Sequence, residues 1–153
     1  MVPVDLTRYF TLESLSRSDT AMRRGIENVP NAGEVANLAR LCESLLEPAQ
    51  SLMGAPIIIT SGYRSPALNQ ALGGATNSAH MDGRACDFKI TLLMDLHEVF
   101  DQLRKSSLPY DQIIFECGAW IHLAVARAGV DPRRQALMAK GGPGHWSYER
   151  VDG

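Results

Sequence analysis

Three residues with the right chemistry for a metal lie in two places along this chain. His80 and Asp87 stand seven positions apart in Ser78-Ala-His80-Met-Asp82-Gly83-Arg84-Ala85-Cys86-Asp87, and His122 follows in an apolar, strand-like run, Trp120-Ile121-His122. Two imidazoles and one carboxylate with a fourth position left open describe a catalytic zinc site, because structural zinc sites use all four positions. Such ligands must converge from separated segments. In one straight strand an odd separation points His80 and Asp87 to opposite faces, so the chain has to turn between them, and Gly83 is the residue for that turn.

Hydrolysis at such a site also needs a base and donors that hold the substrate. Glu116 is the candidate base. If residues 116 to 122 formed a single strand, Glu116 would lie about 20 Å from His122, so its use depends on a hairpin at Cys117-Gly118-Ala119. Arg64, in Ser61-Gly62-Tyr63-Arg64-Ser65, follows a predicted strand and precedes a predicted helix, where a guanidinium can grip a carboxylate through two bonds. Ser78 adds a hydroxyl donor two residues before His80. Together these groups point to a substrate with a free carboxylate near the scissile bond. Other polar residues have plainer readings. His97 and His145 are expected to be structural or surface residues, Asp82 a turn residue beside Gly83, and Trp120 a cleft wall or core filler.

The elements that must position these groups follow from periodicity. Leu12, Leu15 and Met22 suggest one or two short helices ended by Gly25. From Gly33 to Met53, Val35, Leu38, Cys42, Leu45, Ala49 and Leu52 recur at helical steps, with Pro48 set to kink or divide the helix. The β-branched run Pro56 to Gly62 reads as a buried strand, and Ser65-Pro66 starts a helix that Gly73-Gly74 ends. A polar loop then delivers His80, and Ala85 to Ile90 reads as a strand with Asp87 on the face of Ala85. Thr91 is expected to cap a helix with a stripe of Leu92, Leu96, Val99, Phe100 and Leu103. Strands at Gln112 to Glu116 and Trp120 to Ala126 form the hairpin, and Gln135 to Lys140 reads as an edge strand followed by a loose tail. The class is therefore α+β, a small central antiparallel sheet with flanking helices. The chain of 153 residues fits a single domain, with a core over about residues 10–126 and an edge strand and tail over 127–153.

Composition narrows the partners. With 45% apolar and 21% charged residues and a net charge of −2, the chain has no general attraction for nucleic acid or an anionic membrane. No stretch reaches transmembrane length, and no signal peptide is evident at the N-terminus. Cys42, Cys86 and Cys117 lack metal-type spacing and read as reduced, packed thiols.

At the level of motifs the chain resembles the zinc D-alanyl-D-alanine carboxypeptidases and related L-alanyl-D-glutamate peptidases of bacterial peptidoglycan, whose fold is shared with the hedgehog signalling domain. The resemblance rests on Ser78, His80, Gly83, Ala85 and Asp87 in Ser-x-His-x-x-Gly-x-Ala-x-Asp, on Trp120 and His122 in Trp-x-His, and on Ser61 to Ser65, and covers about residues 10–126. It implies one zinc held by His80, Asp87 and His122, a substrate carboxylate held by Arg64 and Ser78, and amide hydrolysis in a peptidoglycan stem peptide. Many members carry the general base three residues before the last histidine, where this chain has Ala119, whereas hedgehog-like and some phage-type members carry it six before, at Glu116. The resemblance also implies a phage-type lysis enzyme, made in the cytoplasm and acting on the cell wall after release or as part of a virion, without stable membrane association. The alternative is a non-catalytic, zinc-stabilised binding or virion assembly module on the same fold.

Overall fold

The computed structural model describes residues 5–90, 94–142 and 145–151. Two short helices open the chain, α1 (Leu12–Ser16) and α2 (Asp19–Arg24). Thr11 caps α1 in a reciprocal capping box with Ser14, and Gly25 ends α2 at a left-handed φ of 65°. Helix α3 (Ala32–Leu41) passes through a wide π turn at Cys42–Leu46 into α4 (Glu47–Met53). Pro48, in the first turn of α4, has no N–H and its ring crowds the preceding turn. The wider turn just before it accommodates this, with the Glu47 N–H donating to the carbonyl of Cys42. The extra residue rotates the apolar face. Leu38, Cys42, Leu45 and Ala49 are buried as the periodicity requires, but Met53 takes the place expected for Leu52, which is 52% exposed.

Six strands make one sheet: β1 (Ile57–Ser61), β2 (Ala85–Ile90), β3 (Gln112–Glu116), β4 (Trp120–Ala124), β5 (Gln135–Lys140) and β6 (Ser147–Arg150), in the order β1-β2-β4-β3-β5-β6. Helix α5 (Pro66–Ala71) follows β1, and α6 (Leu96–Lys105) precedes β3. The α+β class and the β3–β4 hairpin are as the sequence indicates. Two features differ. The β3–β5 pairing is parallel, the other four being antiparallel. Strand β5 lies inside the sheet and not at its edge, because residues 147–150 of the expected loose tail form β6 beyond it. Asp95 caps α6, and the expected cap Thr91, with Leu92, lies outside the described residues.

Alternation separates the two faces of the sheet. Cys86, Phe88, Ile113, Phe115, Ile121 and Leu123 point to the helices and join Leu38, Leu41, Leu45, Val99, Phe100 and Leu103 in the main core. The intervening residues face an open groove. Across it, Ser61, Asp87, His122, Ile114, Leu137 and Arg150 form one cross-strand row. Trp120, Glu116, Ala139 and Tyr148 form the next. Among the described residues no helix is long and apolar enough to cross a membrane.

Candidate metal centre

His80 reaches the groove from a single 3₁₀ turn, Ala79–Asp82, that links α5 to β2. The Ser78 hydroxyl accepts the His80 backbone N–H at 3.2 Å and so caps the turn. Gly83 ends it at φ 76°, where a Cβ would stand 2.5 Å from the Glu34 carbonyl oxygen, so both the backbone conformation and the space demand glycine. This is the change of direction that lets His80 and Asp87 converge. Asp82 accepts from Arg84 at 3.0 and 3.1 Å and takes no part in the cluster, as expected of a turn residue.

Asp87 and His122 meet as cross-strand partners in the middle of the sheet. Asp87 Oδ1 lies 3.0 Å from His122 Nδ1 and 3.3 Å from His80 Nε2. One atom from each of the three groups falls within 4.8 Å of the others, and all three residues are buried. His80 Nδ1–H donates to the Gly62 carbonyl at 2.7 Å, which fixes the tautomer and turns the Nε2 lone pair inward. The donor set of two nitrogens and one oxygen, oriented in this way, suits zinc and leaves room for further ligands.

Burial alone would raise the Asp87 carboxyl, but the two imidazoles against it, His80 and then His122, outweigh burial and hold Asp87 well below the ordinary carboxylate range. Burial pushes His80 the other way, below the usual imidazole value, against the pull of Asp87. A neutral imidazole and an ionised carboxylate are the states that ligate a cation.

Arg64 follows the bulge that brings Ser61 opposite Asp87 in β1. Its guanidinium donates to Asp87 Oδ2 at 3.2 Å, to Ser61 Oγ at 3.1 Å and to Asn69 Oδ1 at 3.3 Å. These bonds use three of its five N–H groups, and they aim Oδ1 of Asp87 at the histidines. Asn69, which carries no sequence signal, is buried and also donates to the Ala75 carbonyl at 2.8 Å. Gly74 lets the backbone approach it, since a Cβ there would lie 2.1 Å from Asn69 Oδ1. Another support missed in the sequence is Asn28, which accepts the Ser65 N–H at 2.7 Å and donates to the Ser16 and Tyr63 carbonyls at 2.7 and 3.0 Å.

Glu116 ends β3, and the turn after it places Cys117 and Gly118 at φ 53° and 66°. The hairpin therefore returns the chain so that Glu116 pairs with Trp120, two residues before His122. Burial, then the charge of Asp87, raises the Glu116 carboxyl above its ordinary 4.5, while His122, the Trp120 indole and Arg64 oppose the rise. Trp120 Nε1 is buried and, among the described residues, has no acceptor in good hydrogen-bonding geometry. Cys42 and Cys86 are buried as expected, but the left-handed turn leaves Cys117 exposed, its Sγ donating to the Gly141 carbonyl at 3.3 Å. His97 pairs with Asp101 at 3.4 Å on α6, outside the cluster.

No curated protein matches the chain. The family model described as Peptidase M15 matches residues 8–124, a stretch that includes α1, all three clustered residues, Arg64, Ser78 and Glu116. With more than half its length matched and a zinc-compatible cluster at the motif positions, the chain belongs to the Peptidase M15 family, the zinc peptidases that its motifs resemble.

Proposed function

We propose that the chain is a zinc peptidase that hydrolyses an amide bond in peptidoglycan stem peptides, with His80, Asp87 and His122 as ligands to one zinc. The observation that carries this reading is the convergence of three buried ligand atoms within 4.8 Å on the open face of the sheet, in the same groove as Glu116. Bound there, zinc supplies Lewis acidity toward the attacking water and the scissile carbonyl. Glu116 takes the proton of the water on its carboxylate and passes it to the leaving amine. A carboxyl raised by burial is suited to this exchange, because it binds the proton more readily than a solvated glutamate. Arg64 first holds Asp87 in register and directs its remaining N–H groups, with the Ser78 hydroxyl, at the substrate carboxylate. The protein acts on the cell wall in a lysis or virion setting, without nucleic acid and without stable membrane association.

Mass spectrometry of stem peptides incubated with zinc-loaded protein, beside a chelated sample, tests this reading. Loss of a terminal D-alanine or a cut after L-alanine, absent with chelator, is the expected result and names the bond. Intact peptides with tightly bound zinc would instead support the binding or assembly module, the reading for which Ala119 at the more common base position speaks.

A further inference from the structure

The groove does not stop at Glu116. It continues over β5 and β6, beyond the residues the family match covers. Ile114, Leu137 and Ala139 form a small apolar floor there, separate from the main core, with Trp146 packed on it. In the Glu116 row, Ala139 is the residue between Glu116 and Tyr148. Ala139 is 3% exposed, whereas Ile114 and Leu137 line the groove. All four residues of β6 are exposed, yet Trp146, Tyr148 and Arg150 all line the groove. Trp146 is partly accounted for by that packing, but Tyr148, 52% exposed on an otherwise polar strand at the rim of an open groove, is not.

We infer that Trp146 and Tyr148 form a distal subsite for an extended peptide substrate, which lies over Ile114 and Leu137 and accepts a hydrogen bond from the Tyr148 hydroxyl at a backbone carbonyl. The inference rests on the peptidase reading and deepens it. Strands lie about 4.8 Å apart, so β6 is about 14 Å from β4, and an extended chain covers that in about four residues at roughly 3.3 Å each. That span fits a substrate several residues long. The Tyr148 phenol is raised above its ordinary value by burial and by the charges of Glu116 and Cys117, which is consistent with a hydroxyl that remains a donor beside the proposed base.

The test compares the zinc-loaded wild type with Tyr148→Phe and Trp146→Phe on two probes, a synthetic stem pentapeptide and an acylated D-alanyl-D-alanine. The expected result is that Tyr148→Phe lowers the ratio of kcat/KM for the long probe to that for the short one about tenfold, through KM, with the melting temperature and zinc content unchanged. In parallel, tryptophan fluorescence follows binding of the pentapeptide to the chelated proteins. Saturable quenching that is lost in Trp146→Phe and weakened about tenfold in Tyr148→Phe supports the subsite even if the wild type cleaves neither probe, an outcome that would defeat only the peptidase reading. An unchanged ratio, or, where no cleavage occurs, binding equal in all three proteins, would overturn the subsite.

Discussion

The two faces of the sheet are made by the same strands and differ in almost everything else. One face carries Phe88, Ile113, Ile121 and Leu123, fully or almost fully buried against helices. The other carries Asp87, His122 and Glu116 over an open groove, at positions one residue away. On the first face a residue is held by shape and apolar area, and its loss leaves a cavity. On the second it is held by directed bonds, and its charge is costly unless each partner is present. The comparison teaches that the site depends on the core for register and on polar supports for orientation, so the two can be broken separately.

The largest effect is expected on the groove face. Glu116→Gln keeps shape and removes the proposed base, so kcat falls about 10²- to 10⁴-fold, measured by peptide cleavage with zinc content as control. The same substitution raises stability. A carboxyl whose folded value is raised above the unfolded one favours the protonated form, so its stabilising contribution is complete below about pH 4.5 and is lost as pH rises through the folded value. The metal-free variant therefore melts above wild type at pH 8 and gains nothing below pH 4.5, a difference that thermal melts across pH will read.

On the covered face, Phe88→Ala removes a fully buried ring and is expected to cost ~3–5 kcal/mol of stability by urea denaturation. Activity should survive per folded molecule. Gly83→Ala sits between the two faces, since its turn is packed on Glu34 and Leu38 while it aims His80. The left-handed backbone makes this change cost about 1–3 kcal/mol, and zinc affinity should fall with it. The smallest effect belongs to neither face. Arg17 and Asp19 approach only to 3.7 Å, with side chains 65% and 76% exposed, so Arg17→Ala should alter denaturation by no more than about 0.5 kcal/mol.

Legibility in the sequence follows the same division. The cluster of His80, Asp87 and His122 is readable because zinc chemistry restricts residue type, and because His80, Gly83 and Asp87 sit close together in sequence. The β3–β4 hairpin was readable from its three-residue turn, and α5 from Ser65 and Pro66. The parallel β3–β5 pairing and strand β6 were not, since register between distant segments leaves no local periodicity and Ser147–Arg150 is exposed throughout. Leu52 departs from the periodic pattern because the π turn advances the helical phase by one residue. Asn69 and the Gly62 carbonyl, which orient Arg64 and His80, carry ordinary residue types and are revealed only by their distances. Thiols are commonly buried, but the left-handed turn at Cys117 puts this one outside.

The central claim is that the groove face binds one zinc through His80, Asp87 and His122. Elemental analysis of the protein after zinc loading and gel filtration tests it directly, on wild type, Asp87→Ala and Glu116→Gln, with circular dichroism as a check on folding. One zinc per chain in wild type and in Glu116→Gln, with loss from a folded Asp87→Ala, is the predicted result. Zinc retained in full by Asp87→Ala, or absent from wild type, would contradict it.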